Sequence, residues 1–599
     1  MKVHFTRILL GICLFLLAIG TGWGQGATAA INGQVTDASG AAVPNATVTA
    51  KDLNHGTTWP ATADQGGLYN LPRLPIGKYE IRVQANGFQT AVKSSVELVL
   101  DQVAKIDFQL QVGQVSQTME VTSAAPLLQT ESTQVSTIME AQAIESLPLE
   151  TRNYNQLALL MPGTVTTSPA SFNTGQQTFN SGRPYINGNR EQASYYLLDG
   201  MENIEFVDNN VAYSPSVDAI QEFDVVTNNP SAEYGQFLGG VISVSLKSGS
   251  NSLHGNAFEF LRNDFFNANE WSRNFSQLAS VNSAPPNLRW NEFGGTLGGP
   301  IKKNKLFFFV DYQGSRFDTP PTAGSVNTFT TQERNGDLSD INGINLHYPG
   351  TTVPMPANLS QAAICGAGQT MGSAPCINGI SATALKIAAA LPQPTLSGLL
   401  RNAPNAQGTY VNGDQGDAKV DYNISDKDHL FVRYSQQYVI NPTTNTQPLV
   451  YDTVNKFPLW SGVIDYTRTI SPSLVNEARF GVNYFPAEAN TTSGASVPGL
   501  IAGQPTPFLP LLSFSGTSVT PFGTVDAPEI FHQTAIQADD TLIFTHGKHT
   551  MKFGFQAIRY RNDYVPATTG DGAAGQVMFG GSYSGNAEAD FFLGLPSYI

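Results

Sequence analysis

Few side chains in this chain of 599 residues are spaced to do chemistry. His546-x-x-His549 could share an ion, and Asp421, Asp426 and Asp428 could gather around calcium. A zinc site wants further Cys, His or carboxylate ligands at fixed spacing, and a calcium loop wants a Gly and a closing Glu that do not follow here. A four-residue turn between strands accounts for the His pair, so no metal and no other cofactor are expected. His55 stands alone in its segment, without the second His and the carboxylate of a zinc peptidase. There is no His-Glu-x-x-His, no Gly-x-Ser-x-Gly elbow and no convincing pair of catalytic carboxylates, so an enzyme is not expected. Gly235, Gly239 and Gly240 make neither a Gly-x-Gly-x-x-Gly nor a Walker loop and read as sites of tight turning and close backbone packing. Thr118-Met119-Glu120-Val121-Thr122 offers chemistry of another kind, because an exposed extended pentapeptide can add to a partner's sheet edge through main-chain hydrogen bonds.

The elements that must position such groups are strands. Charged residues are only 13% of the chain while Gly (56), Phe (34) and Tyr (21) are plentiful, which suits many strands and turns better than a soluble helical enzyme. A net charge of -15 excludes a nucleic-acid partner, since phosphate binding needs surplus Lys and Arg. Lys2 and Arg7 precede an apolar run from Ile8 to Ile19, and Ala27-Thr28-Ala29 fits a small-x-small cleavage site, so residues 1–29 read as a secretory signal peptide. The run falls short of the ~20 residues a membrane-spanning helix needs, and no other segment is apolar for long enough. Membrane association therefore has to come from strands. Cys13 leaves with the leader; Cys365 and Cys376 share one polar loop and are expected to form a local disulfide in an oxidising compartment.

Residues 30–113 alternate apolar and polar at Ala46, Val48 and Ala50, at Tyr79, Ile81 and Val83, and at Ile106, Phe108 and Leu110, with breaks at Gly and Pro. About seven short strands in roughly 80 residues describe a small β-sandwich. Gly33-x-Val35-x-Asp37, Val43-Pro44-x-Ala46-x-Val48, Asp64-x-x-Gly67-x-Tyr69, Leu74-Pro75-x-Gly77-x-Tyr79 and Gly87-Phe88 together resemble the carboxypeptidase regulatory-like domain, which implies a transthyretin or Ig-like fold classed with carbohydrate-binding-like sandwiches. The resemblance implies a spacer or docking module, with glycan binding as the other role.

A polar linker, 114–140, leads into 141–251, an α+β segment with a short helix, a turn and a second helix up to Pro162-Gly163. A short helix is expected over Val217–Phe223, a strand over Asp224–Thr227 and another over Val241–Lys247. Leu198-Asp199-Gly200, Ile220-x-x-Phe223-Asp224-Val225, Ala232-Glu233-Tyr234-Gly235 and Gly239-Gly240-Val241-Ile242, in that order, resemble the plug domain of TonB-dependent outer-membrane receptors. Ile186-Asn187-Gly188 and Leu246-Lys247 depart from the usual plug wording and, with the leading sandwich, point to the Oar-like branch. By the same resemblance Thr118–Thr122 is the box that offers a strand to a periplasmic TonB-type energy-coupling protein, and the glycines let a plug fit inside a barrel wall.

From 252 to 599 the chain alternates as a wall must when one face meets lipid and every backbone group is paired. Ala418, Val420, Tyr422 and Ile424 interleave with Lys419, Asp421 and Asn423, and Ala478, Phe480, Val482 and Tyr484 with Glu477, Arg479, Gly481 and Asn483. Short polar turns at 302–305, 425–428, 470–473 and 546–549 alternate with long loops near 264–290, 318–415, 439–458, 486–530 and 561–585, as periplasmic turns and outside loops do. Aromatics such as Tyr312, Tyr434, Tyr484 and Tyr560 fall where an interfacial girdle would sit. About ten strands are counted, the last at Ala589–Leu595, against the ~22 of the resembled family, so an incomplete antiparallel transmembrane barrel is expected. The fold expected is mainly β. The function implied is energy-coupled uptake across a Gram-negative outer membrane, in contact with its lipid, of a substrate too large for porins, such as an oligosaccharide, peptide or chelate. A surface adhesin or glycan-binding protein without transport is the alternative, and it would not need a plug.

Overall fold

A chain so poor in charge and so regularly alternating builds sheets. The computed structural model describes residues 29–599 apart from 101, 114–117, 121–132, 150, 169–171, 173–181, 236, 270, 275–284, 286, 446–451, 472, 494–508, 524–528, 548 and 566–574. Apart from Ala29, the leader lies outside the described residues, as do most of the linker and Val121 and Thr122.

The sandwich comprises β1 (Ala29–Asp37), β2 (Thr47–Asp52), β3 (Thr58–Thr62), β4 (Leu68–Leu74), β5 (Gly77–Gln84), β6 (Thr90–Leu98), β7 (Val103–Lys105) and β8 (Phe108–Leu110). One sheet runs β4-β1-β7 with β8 also on β1; the other runs β3-β2-β5-β6 and ends on β9 (Thr118–Glu120). The alternation places Val48, Tyr79, Ile81, Val83 and Phe108 between the sheets, all buried. The buried Tyr69 hydroxyl donates to the Ile106 carbonyl at 2.6 Å, which ties the sheet to its final strands.

The plug is a five-stranded sheet in the order β10-β17-β18-β13-β14. Its strands are β10 (Val135–Glu140), β13 (Tyr195–Leu198), β14 (Met201–Glu202), β17 (Ile220–Asn228) and β18 (Val241–Leu246); the pairs β11 (Thr164–Val165) with β12 (Tyr185–Ile186) and β15 (Ile204–Glu205) with β16 (Asn210–Val211) flank it. Two expectations change here. The first helix is α1 (Ala141–Ser146), and the second is a 3₁₀ segment, Tyr154–Leu160, opened by the Asn153 side chain accepting from Asn155 N–H. The helix expected over Val217–Phe223 is only a turn, Val217–Ala219. Ile220 already pairs with Leu246 and Phe223 with Met139 and Val244, so sheet pairing wins over a local helix.

The wall is one nine-stranded sheet. Its members, in order, are β19 (His254–Asn263), β20 (Arg289–Lys302), β21 (Leu306–Val326), β22 (Ala403–Ser425), β23 (Asp428–Asn445), β24 (Asp452–Ser471) and β25 (Leu474–Ser493), followed, after the separate β26 (Leu511–Phe514), by β27 (Glu529–His546) and β28 (His549–Val565). All neighbours are antiparallel, and β19 and β28 each pair on one side, so the barrel is not closed. Its burial runs opposite to that of a soluble sheet. Lys419, Arg433, Gln437, Glu477 and Arg479 are buried on the inner face, whereas Val420, Val432, Ile464, Phe553 and Phe555 are exposed on the outer. In transmembrane barrels a face of this kind is turned to lipid.

The long outside connections are not bare loops, and the wall has nine strands where about ten were expected. β21 continues to Val326 and β22 begins at Ala403, and residues between and beyond them form a second core. Phe329, Leu338, Ile377, Ala388 of α2 (Ala382–Ala390), Phe514 of β26, and Phe579 of β29 (Gln576–Phe579) meet there. The segment Ala589–Leu595, expected as a strand, is instead part of α3 (Ala587–Leu593). Asn586 caps it by accepting from Glu588 and Ala589 N–H, left-handed Gly594 ends it, and Phe591 and Phe592 fill the core. Cys365 and Cys376 are joined in this unit. The same core buries the Glu333 and Glu588 carboxyls. Burial first, and then the charges of Glu333 and Asp340, push the Glu588 carboxyl well above the ordinary range. A folded-state value above the unfolded one means stability held at acid pH and lost as pH rises through the raised value. The outer unit is therefore expected to melt earlier in alkaline buffer, and Glu588→Gln to flatten that dependence in thermal scans.

Candidate functional site: the joint between plug, wall and sandwich

The joint is built around a hairpin turn. Asp199 and Gly200 link β13 to β14 with positive φ at both positions (47° and 74°), the conformation that an Asp-Gly turn favours. A side chain at Gly200 would stand 2.2 Å from the Arg479 guanidinium, which would have to shift to admit it, and the positive φ favours glycine there in any case. Gly239 and Gly240 approach Ala193, Ile186 and Val226 within the plug instead, and nothing crowds Gly235. Tyr234 packs edge-on to Tyr195, also in the plug.

On the wall, Lys419 and Arg433 sit directly opposite each other on β22 and β23. Like charges so placed repel unless an anion lies between them. Asp199 is that anion: Lys419 Nζ donates to its Oδ1 at 3.2 Å, Arg433 Nε lies 3.5 Å from its Oδ2, and Leu246 N–H donates to Oδ1 at 3.1 Å. All three charged side chains are buried.

A second set is continuous with the first. Arg479 donates to Asp465 Oδ2 at 2.8 and 3.0 Å, to Glu477 Oε1 at 3.3 Å and to the Gly200 carbonyl at 2.9 Å. From the sandwich, Arg73 reaches the other Glu477 oxygen at 2.7 Å. Elsewhere Tyr213 OH donates to Asp417 at 2.7 Å, Glu202 N–H donates to Gln537 Oε1 at 3.1 Å, and Tyr560 OH donates to both Glu202 oxygens. Burial raises the Glu202 carboxyl, against the lowering hydrogen bonds of Tyr560 and Tyr195. Arg152 pairs with Asp218 inside the plug and lies over the Phe258 and Phe260 rings of β19. Plug and wall thus meet through ions and hydrogen bonds and, beside them, through an apolar cluster in which Phe309, Phe457, Phe485 and Phe531 of the wall join the core of the plug.

The sandwich closes the end of the wall at which the short turns lie. Leu100 N–H donates to Glu222 of the plug at 2.6 Å, Asn423 of the wall donates to Thr57 at 2.6 Å, and Trp59 stacks on His429 with ring centres 5.2 Å apart. A cavity of about 200 Å³ remains between the three parts, lined by residues including His55, Arg73, Asp199, Lys419, Asp421 and Glu477.

Of the residues singled out in the sequence, Leu198, Asp199 and Gly200 are at this joint, while Tyr234, Gly235, Gly239 and Gly240 shape the plug. Thr118–Glu120 lies apart as β9, parallel to β6 with Thr118 beside Thr90 and Glu120 beside Val92. Asp421 lies on β22, half-buried beside the hinge, and Asp428 accepts from Ser425 and Tyr466 hydroxyls; His546 and His549 are the last pair of β27 and β28. Lys419, Arg433, Asp465, Arg479, Arg73 and Glu222 went unnoticed as site residues. The signal for the wall cations was a long charged side chain repeatedly placed mid-strand on the inner face.

Residues 245–599, more than half of the chain, match the family model of the outer membrane beta barrel domain. Residues 30–111 match the carboxypeptidase regulatory-like domain and 129–241 the TonB-dependent receptor plug domain. The TonB-dependent transporter Oar of Myxococcus xanthus is 27% identical over 326 residues, 52% of this chain and 29% of that protein. Among solved structures, the outer membrane transporter YddB from Escherichia coli aligns over 71% of this chain and 54% of its own at 10% identity and a TM-score of 0.38. The siderophore receptor PirA from Acinetobacter baumannii aligns over 72% and 49% at 12% identity and a TM-score of 0.38. The chain spans less than a third of the length of the Oar relative and about half that of these structures. It belongs to the outer membrane beta barrel family, as a TonB-dependent receptor of the Gram-negative outer membrane whose carboxypeptidase regulatory-like domain stands on the periplasmic side.

Proposed function

We propose that the chain carries out energy-coupled uptake of a substrate too large for porins, an oligosaccharide, a peptide or a chelate, without catalysing a reaction. The observation that carries this reading is the chemistry of the plug's seat. Asp199 lies between Lys419 and Arg433, and Arg479 binds the Gly200 carbonyl. These ions can be rehydrated as the plug is drawn away, which lowers the cost of parting that side of the seat, while the apolar contact of Phe309, Phe457 and Phe485 with the plug core is what the pull has to overcome. The pull would come from a periplasmic TonB-type protein gripping Thr118–Thr122. Because Thr118–Glu120 is paired along β6, that grip first has to peel a three-residue edge strand from the sandwich. The sandwich's own contacts with plug and wall support a docking role for it over free glycan capture.

The test is deletion of Thr118–Thr122 in the full-length protein. Uptake of the bound substrate into energised cells is expected to fall to background while surface binding is unchanged. Undiminished uptake would overturn the coupling. Binding with no energised accumulation, even in the parent, would favour the adhesin.

A further inference from the structure

The hinge between β18 and β19, residues 247–253, is held by a loop of the sandwich. Asn251 N–H donates to the Asn54 carbonyl at 3.0 Å, its side-chain amide donates to Asn304 Oδ1 of the wall turn at 2.7 Å, and Asn304 backbone N–H donates to Asn251 Oδ1 at 2.8 Å. At the centre is His55. Its Nδ1 stands 2.7 Å from Asp52 Oδ2, and its Nε2 stands 2.8 Å from the Gly249 carbonyl oxygen. Asp52 is fully buried, and its other oxygen accepts from Asn54 and His55 N–H. Gly249 cannot move aside, because even a Cβ there would lie 2.3 Å from the Phe308 carbonyl. The Phe307 ring meets the imidazole edge-on, 4.9 Å away.

A neutral imidazole has one N–H and one lone pair. With an acceptor facing each nitrogen, either neutral tautomer would set a lone pair against an oxygen. The arrangement is satisfied only when the His55–Asp52 pair holds one extra proton, which makes His55 a donor at both ends. We infer that His55 is a proton-dependent clasp, by which the sandwich grips the plug–wall hinge when the pair is protonated and lets go when it is not. The clasp goes beyond the uptake reading and stands whatever the substrate.

Every facing group bears on its pH range. Burial lowers the imidazole, but the Asp52 hydrogen bond and charge, and then Asp421 on β22, more than offset it, leaving His55 above its ordinary value. His429 on β23 lies behind Trp59, and Lys419 stands next to Asp421, balancing part of that carboxylate's charge; the hinge itself offers only the Gly249 carbonyl and Ser248. A raised value means the grip is complete at pH below the free imidazole's and is lost as pH rises through the docked one. Released, the hinge could follow the plug without dragging the sandwich.

The experiment places spin labels on cysteines introduced at exposed Ser39 and Lys303 of the full-length protein in membranes, with the Cys365–Cys376 bond kept oxidised. The ratio of the docked distance to longer ones is expected to fall roughly tenfold between about pH 6 and about pH 9, the weight of one charge-assisted hydrogen bond. Asp52→Asn is the decisive variant. Its amide can donate to Nδ1 while Nε2–H still serves Gly249, so a neutral imidazole satisfies every partner and docking should persist at about pH 9. His429 and Asp421 remain in that variant, so a response due to them would survive. His55→Ala should undock at both values. A wild-type distance unchanged with pH, or an Asp52→Asn variant that follows the wild type, would overturn the clasp.

Discussion

Replacing Asp199 with Ala loosens the plug, at a cost of about 3–5 kcal/mol, because it removes the anion that two facing buried cations share and leaves Lys419 with Asp421 and Arg433 with Asp417. Lys419 and Arg433 are opposite neighbours on β22 and β23, both buried, and Asp199 is the anion that both reach. The loss exceeds that of a surface pair, since both cations are buried. Asp199→Asn should cost less: it keeps an acceptor for Leu246 N–H and tolerates the positive φ of 47°, but gives up the charge. Limited proteolysis of the plug in purified protein, with thermal unfolding beside it, reads the effect. Lys419→Met added to Asp199→Ala should recover part of the loss, as a double-mutant cycle measures directly. If Asp199→Ala melted with the wild type, some other group would be balancing the pair.

Phe329→Ala should melt the outer unit while sparing the wall. Phe329 is fully buried, stacks on Phe591 at 5.2 Å and 15°, and meets Phe514 edge-on at 5.7 Å. Truncating a buried Phe costs about 3–5 kcal/mol, a large share of what so small a core can supply. Residues 327–402 should become open to protease added outside intact cells, while β19 to β28 keep their resistance to detergent unfolding. The Cys365–Cys376 bond closes only a short stretch of that unit and would not restore it. Unchanged protection would mean that the unit does not depend on its aromatic centre.

What could be read in the sequence divides along physical lines. Alternation in Tyr79–Val83 and Ala418–Ile424 was legible because period two is local, and so was the turn chemistry of Asp199-Gly200. The partners of Asp199 were not. Lys419 and Arg433 become neighbours only through strand register, which no local pattern fixes. Ala589–Leu595 was misread because a short apolar run fits a strand or a buried helix equally, although Asn586 and Gly594 were cap signals in plain view. The outer core was missed for a related reason: Phe329, Phe514 and Phe591 are far apart in the chain, in stretches too irregular to show a period. Of the glycines expected against the wall, Gly239 and Gly240 pack within the plug and nothing crowds Gly235, whereas Gly200, valued as part of a motif, faces Arg479 of the wall.

The sandwich's docking contacts also set an order of assembly. Within itself the sandwich joins near neighbours: β2 to β5, β5 to β6, Tyr69 to Ile106. Its ties to the wall join Asn70 to Thr545, 475 residues apart, and Arg73 to Glu477. The entropy of closing so long a loop grows only logarithmically with its length, yet nothing can close before β25 and β27 exist as strands. The domain made first is therefore ready early and attached late, waiting beneath the membrane until the wall has inserted above it.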